Sequence, residues 1–273
     1  RLRTALHDSD PRVRKHALIL SEPRLDASFE FREIIRKMTR DPSPRVRLQL
    51  GFSLATAPVE VRFTSLRELL LRDPSEALLA AAVQSSLRRG AGTMLSQLIR
   101  DPQALANSKL QALMQRLAVQ IGVQGESNEV ATALAALSQL ESSQKPLSRH
   151  LQQSLFTNLP AQRLAEIDRG NGIAKLLEDL VQTAERTADN PREALNRRLE
   201  AVRTLGIGTL TEGRKLAVFK NLLRYDQPAT IQATAAATLA RFKSERVSEL
   251  LLNAWPQMTP RVRRTAVETL FAR

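Results

Sequence analysis

Apolar residues recur along this chain at the three- and four-residue steps that place side chains on one face of an α-helix. The clearest run follows Pro44, where Val46, Leu50 and Leu54 are spaced by four residues. Such a face must be buried, because it presents a continuous apolar stripe. The strict alternation of apolar and polar residues that marks a half-buried β-strand is absent. The pattern therefore predicts an all-α protein whose helices cover one another's apolar faces.

Turn residues divide the chain into short helices that we expect to form antiparallel pairs. Pro and Gly lie mostly between the periodic segments, and good helix formers dominate within them. The predicted helices are 1–6 with 11–21, 28–40 with 44–56, 59–72 with 75–89, then 93–100, 103–121, 127–142, 146–158 and 172–188, and finally 191–205, 213–225, 228–242, 245–254 and 260–272. In the second pair, the residues expected to face the run after Pro44 are Phe29, Ile34, Ile35 and Met38.

One short phrase, a proline followed by an x-Val-Arg triplet, recurs at both ends of the chain. Its three clear copies are Pro11, Val13 and Arg14, then Pro44, Val46 and Arg47, then Pro260, Val262 and Arg263. Pro suits the first position of a helix, and a preceding Ser43 or Thr259 can cap the orphan N–H groups there. The first two copies are 33 residues apart, which is a helical-repeat spacing. We expect the three valines to be buried in equivalent positions.

This phrase resembles the second helix of HEAT repeats, in which two antiparallel helices form one unit and successive units stack. Looser copies are centred on Pro74, Pro102, Pro191 and Pro228. The resemblance implies an α-solenoid that forms a right-handed superhelix over 1–273. We expect regular repeats at 1–92 and 190–273, and an irregular middle at 93–189 with an excursion at 160–172.

The net charge of +13 is unevenly distributed. Residues 1–100 carry +7, residues 101–200 carry −1 and residues 201–273 carry +7. A basic balance can attract nucleic acid or acidic proteins. However, Arg14, Arg47 and Arg263 belong to the repeat phrase, and the interpretation we favour is that each ties one repeat to the next through an Asp or a backbone carbonyl.

Candidate chemistry is sparse. The three histidines, His7, His16 and His150, are far apart and have no partner at metal-ligand spacing, and the chain has no cysteine. The segment 208–215 lacks the Lys and the Ser or Thr that a phosphate loop requires. The single Trp255 and the single Tyr225 are expected to pack at the ends of helix hairpins. The sequence therefore predicts no catalytic, cofactor-binding or metal-ligating residue.

A narrower resemblance is carried by the phrases at 6–17 and 41–50 and by the ending at 251–264. These segments resemble the central HEAT region of bacterial PVC-type haem-binding proteins, large exported proteins grouped with membrane-bound dehydrogenases. The resemblance implies a β-propeller, dehydrogenase-like domain before this region, and a small c-type cytochrome domain with a C-x-x-C-H haem motif after it. It also implies that the chain is a fragment, that its parent is exported or periplasmic, and that covalent haem c belongs to a flanking domain.

Two function classes are compatible with these features. The first is a non-enzymatic scaffold that holds flanking domains or another protein. The alternative is a HEAT-like DNA glycosylase, or another nucleic-acid-binding solenoid, that grips the duplex with a basic concave face. We favour the scaffold and expect no specific nucleic-acid binding, because the middle third is slightly negative and the aromatic content is only 4%. No apolar run is long enough to span a bilayer.

Overall fold

The computed structural model describes residues 1–273 except 26–28, 161–162, 164–165, 167–173, 208–211, 243 and 273. Within these residues the regular elements are all helical, which confirms the predicted fold class. The α-helices are α1 Leu2–Ala5, α2 Pro11–Ser21, α3 Phe29–Lys37, α4 Pro44–Ser53, α5 Val59–Arg72, α6 Ala77–Ser86, α7 Ala91–Ile99, α8 Pro102–Ala106, α9 Ser108–Gln124, α10 Ser127–Ser138, α11 Lys145–Asn158, α12 Ala174–Asp189, α13 Leu195–Thr204, α14 Glu212–Leu222, α15 Ala229–Leu239, α16 Arg246–Ala254 and α17 Pro260–Phe271.

The chain forms two compact units, Arg1–Leu155 and Phe156–Arg273. In the first unit, α2, α4 and α6 pack side by side in one layer, and α3, α5, α7 and α10 follow one another in a second layer. In the second unit, α13, α15 and α17 form one layer and α12, α14 and α16 the other. Each unit is thus a stack of antiparallel helix pairs, as in a helical-repeat solenoid. The right-handed superhelix and the single solenoid over 1–273 remain predictions.

The signature prolines are the first residues of their helices, as predicted, but the caps differ from one copy to the next. Asp10 accepts a hydrogen bond from the N–H of Arg12 at 2.8 Å, and Thr259 accepts a long one from Val262 at 3.5 Å. The prediction that Ser43 caps α4 with its side chain is wrong. Instead, Asp41 Oδ1 accepts the N–H of Ser43 at 2.8 Å, because an Asp two residues earlier can form an Asx turn.

The expected burial of the three signature valines holds for two of them. Val46 and Val262 are completely buried, whereas Val13 is 39% exposed. Helix α2 packs on α4 and on α1, and α1 has only four residues. Phe29 is also exposed, contrary to expectation. The buried face of α3 is set by Phe31 and Ile35, and a residue two positions before Phe31 points away from that face.

Two further predictions were wrong in detail. The helix predicted at 103–121 is divided at Asn107, whose side chain accepts the N–H groups of Lys109 and Leu110 and so starts α9 anew. Tyr225 does not pack at a hairpin end but is exposed in the turn after α14. The expected excursion at 160–172 and the start of the segment 208–215 lie outside the described residues.

A glycine-dependent junction connects α7 to α10. Gly90, at the N-cap of α7, has a φ of 96°, a backbone conformation that favours glycine. The carboxylate of Glu129 in α10 accepts the N–H of Gly90 at 2.8 Å and that of Gly92 at 2.6 Å. A carboxylate at this position satisfies two orphan N–H groups and complements the positive end of the helix dipole. A Cβ at Gly92 would approach the backbone oxygen of Glu129 to 2.4 Å, so this position requires glycine.

Candidate functional site

The signature arginine of α2 links two successive repeats. Arg14 donates from Nε and NH2 to the two carboxylate oxygens of Asp41, at 2.7 and 2.8 Å. Its NH1 donates to the carbonyls of Asp8 and Ser9, which belong to the turn before α2. The hydrogen bond to Asp41 raises the pKa of Arg14 above its ordinary value. One guanidinium therefore joins its own turn to the turn of the next repeat.

Arg47 makes the same set of contacts one repeat later. Its Nε and NH2 donate to the carboxylate of Asp73 at 2.6 and 3.1 Å, and its NH1 donates to the carbonyls of Asp41 and Pro42 at 2.6 and 3.2 Å. The side chains of Arg47 and Asp73 are only 9% and 19% exposed. Planar, bidentate arginine–carboxylate pairs are geometrically demanding and stronger than neutral hydrogen bonds. We call each such connection between successive turns an arginine rung.

The third rung comes from the other helix layer. Arg67 in α5 pairs with Asp101, whose Oδ1 also accepts the N–H groups of Gln103 and Ala104 at the start of α8. Burial raises the pKa of Asp101, but the hydrogen bonds from Arg67 and from the N–H of Ala104 outweigh this effect, so the pKa lies below its ordinary value. The acids Asp41, Asp73 and Asp101 thus each accept an arginine from the preceding repeat.

In the second unit, Arg198 and Arg263 bond to neutral groups. Arg198 in α13 donates to the carbonyl of Ala188 at 2.9 Å and to Oε1 of Gln227 at 2.6 Å. Arg263 donates to the carbonyls of Trp255 and Pro256 at 3.2 and 3.5 Å, and its guanidinium lies 5.6 Å from the centre of the Trp255 ring. Arg14, Arg47 and Arg263 thus each meet a carboxylate or a helix-end carbonyl, as predicted. The expected tie from one repeat to the next is found for Arg14 and Arg47, whereas the carbonyls that Arg263 meets belong to the turn before its own helix.

Sequence reasoning missed Arg198. Arg14, Arg47, Arg263 and Arg198 are each the fourth residue of their helix. The first three follow a signature proline, whereas α13 begins at Leu195, after a turn in which Asn190 accepts the N–H of Arg192. Because the helix was predicted to start at residue 191, Arg198 is in the fourth position only with the helix start that the structure shows.

Asp101→Asn is expected to lower the free energy of unfolding at neutral pH. It should also make that free energy less dependent on pH in the acidic range. Asn still caps α8 but loses the charge that pairs with Arg67. Because the folded-state pKa of Asp101 is lowered, its ionic contribution is complete above the unfolded-state pKa and is lost as the pH falls through the folded-state value. Urea unfolding of both proteins from neutral to acidic pH measures this, and the difference between them should shrink with acidity. A difference that stays constant with pH would contradict the assignment.

An open groove of about 800 Å³ lies in the first unit, between α6 and α9. One wall includes Ala81 of α6 and Arg88, which lies just after α6, and the other includes Arg116, Val119 and Val123 of α9. At one end, Gln120 Nε2 donates to the carbonyl of Leu87 at 2.8 Å and Gln124 Nε2 donates to that of Arg88 at 3.2 Å. We call this concavity the α6–α9 groove. It was not foreseen from the sequence.

Among the described residues, no cluster of three metal-ligating side chains occurs, and no helix is long and apolar enough to cross a membrane. His7 contacts the carbonyl of Arg3 at 2.9 Å through a ring nitrogen. His7 and His16 lie in α2 or the turn before it, and His150 lies in α11. The histidines thus occupy helix and turn positions, two of them in the first helix pair and one in α11.

Comparison with known proteins yields distant structural similarities. The chain matches two crystal structures of engineered proteins from the Northeast Structural Genomics Consortium, each at 13% sequence identity over 99% of this chain. The TM-scores are 0.37, with 87% of the first protein covered, and 0.28, with 94% of the second covered. No family model and no curated protein matches the chain. The class defined by the structure itself is an all-α helical-repeat protein.

Proposed function

We propose that this chain is a non-enzymatic scaffold that holds other protein domains or a partner protein on a stack of helical repeats. The observation that carries the proposal is the use made of the signature arginines. Arg14 and Arg47 donate to groups of their own turn and to the acid of the next turn. Cations engaged in this way contribute to cohesion between repeats rather than to a ligand surface.

The rungs also suit a scaffold mechanically. Stability in repeat proteins comes largely from interfaces between neighbouring repeats. A bidentate pair fixes both the distance and the angle between two turns, so a repeat cannot slide on its neighbour without breaking a largely buried ion pair. A chain built in this way can keep two attached domains at a constant separation.

The identity of the attached domains rests on the resemblance of segments 6–17, 41–50 and 251–264 to PVC-type haem-binding proteins. On that basis the partners are a β-propeller, dehydrogenase-like domain and a c-type cytochrome domain, in an exported protein. Haem would then be bound by the cytochrome domain, and this chain would contribute spacing and orientation. We expect the full-length gene to encode a C-x-x-C-H motif downstream of this segment. A gene without that motif would contradict the assignment of these two domains as partners.

The competing nucleic-acid function is tested with Arg47→Ala. A scaffold role predicts a lower melting temperature and no change in affinity for duplex DNA. The wild-type chain should bind duplex DNA at physiological salt no more tightly than the ~10⁻⁴ to 10⁻⁶ M typical of non-specific binding. The assay is a titration at two salt concentrations with a base-excision reaction on alkylated duplex. Nanomolar binding at the higher salt, or release of a modified base, would contradict the scaffold function and favour a DNA glycosylase.

A further inference from the structure

The α6–α9 groove interrupts the side-by-side packing of the repeats. Helix α6 packs on α4, and α9 packs on α7. Between α6 and α9 the helices leave the concavity of about 800 Å³, and the amides of Gln120 and Gln124 bridge one end of it. A concavity of this size is within the range of ligand-binding clefts. It therefore offers space for a bound segment.

The groove contains an apolar strip between polar side chains. Val119 and Val123 are four residues apart in α9 and lie on one helix face, with Ala81 opposite them on α6. Val123 is 62% exposed, which is high for a valine inside a helix. Apolar side chains that line a concavity gain free energy when a partner covers them.

The charge in the groove is positive only. Arg88 and Arg116 are among its lining residues, and no Asp or Glu is. Neither arginine forms an ion pair with any residue that the structure describes, in contrast to Arg14 and Arg47. Two unpaired guanidinium groups beside an apolar strip complement a ligand that carries carboxylates next to apolar side chains.

The amide side chains of the groove indicate the conformation of that ligand. Gln84 and Gln115 are among its lining residues. An amide can both donate a hydrogen bond to a peptide backbone and accept one from it. An extended peptide presents free backbone N–H and C=O groups along its length, whereas those of a helix are engaged internally. The amides therefore favour an extended segment.

We propose that the α6–α9 groove binds an extended, acidic and apolar peptide segment of a partner protein. The segment's apolar side chains would cover Val119 and Val123, and its carboxylates would meet Arg88 and Arg116. Its backbone would form hydrogen bonds with the amides of Gln84 and Gln115. This inference rests on the proposed scaffold function and names the chemistry of its partner.

The test is fluorescence anisotropy with the whole chain and short labelled peptides. The probe alternates Glu and Val, since β-branched residues favour an extended backbone. One comparison peptide replaces every Glu by Lys, and another arranges Glu with Leu and Ala at helical spacing. The Glu–Val peptide should bind most tightly, with an affinity that falls as salt rises. The double variant Arg88→Glu, Arg116→Glu should weaken its binding by about tenfold or more, and Val123→Asp should do the same.

The matched control is the double variant Arg45→Glu, Arg72→Glu. It changes the net charge by the same amount at two exposed arginines outside the groove. Peptide affinity should stay within about twofold of the wild-type value, which is well below the tenfold loss expected for the groove variants. Circular dichroism melts of all variants show whether the fold is kept.

The proposal is overturned if the Lys peptide or the helical peptide binds as well as the Glu–Val peptide, if no peptide binds, or if the control weakens binding equally. It is also overturned if the groove variants lower the affinity for duplex DNA but leave the affinity for the Glu–Val peptide unchanged. Each of these can occur while duplex binding stays weak and non-specific, so failure of the groove proposal is distinguishable from failure of the scaffold function.

Discussion

Val46→Asp is expected to lower the free energy of unfolding by about 3 kcal/mol or more. Val46 is completely buried in the first unit, and a carboxylate there would be desolvated without a partner. The loss should appear as a lower midpoint in urea unfolding followed by circular dichroism. Because repeat proteins are stabilised between neighbours, the same substitution should expose the amides of α4 and of the helices that pack on it to faster hydrogen exchange.

The chain offers a matched control for this substitution. Val13 is the third residue of α2, as Val46 is of α4, but it is 39% exposed. Val13→Asp places the same carboxylate in the same helical position, where it also complements the helix dipole. Its cost should stay below about 1 kcal/mol. Equal losses for the two variants would show that burial of Val46 is not what stabilises the repeat.

Asp73→Ala is expected to cost about 3 kcal/mol, the second-largest effect. Removing one member of a buried ion pair leaves the other charge uncompensated, and such changes typically cost about 3–5 kcal/mol. Arg47 keeps its hydrogen bonds to the carbonyls of Asp41 and Pro42, which places the expected loss at the lower end. Urea unfolding measures the change, and the double variant Arg47→Ala, Asp73→Ala should cost less than the two single losses added together.

A surface pair in the same unit provides the comparison for Asp73. Arg40 donates to Glu68 at 2.8 Å, but the two side chains are 77% and 32% exposed. Exposed ion pairs contribute about 0–1 kcal/mol because water screens them. Glu68→Ala should therefore cost less than 1 kcal/mol on that scale. A loss as large as that of Asp73→Ala would contradict the idea that burial gives the arginine rungs their value.

The sequence predicted what is encoded locally. The helix starts at Pro11, Pro44 and Pro260 and the buried run after Pro44 follow from capping, proline geometry and periodicity, and the structure contains all of them. The role of the signature arginines was also predictable as a class. Their particular acids were not, since Asp41 and Asp73 are 27 and 26 residues away from the arginines they bind. Only the stacking of repeats brings these groups together.

The failures have the same origin. Val13 matches Val46 in sequence, but its burial depends on which residues of other helices cover it, and it is 39% exposed. The α6–α9 groove depends on the distance between two helices, and no local sequence pattern determines that distance. Glutamine is common at solvent-facing helix positions, so nothing in the sequence distinguishes Gln120 and Gln124. Only the structure shows that their amides donate to carbonyls just after the end of α6.

The rungs made by Arg14 and Arg47 have the same chemistry in successive repeats. The second repeat receives a guanidinium from the first at Asp41 and supplies one to the third through Arg47. Duplication of residues 41–72 would therefore leave each of these arginines opposite an aspartate. Deletion of the same residues would bring Arg14 opposite Asp73, but it would also remove Arg67, the partner of Asp101. A gene of this design can thus gain a whole repeat without a compensating substitution at the Arg14 and Arg47 rungs, whereas loss of this repeat leaves Asp101 without its arginine.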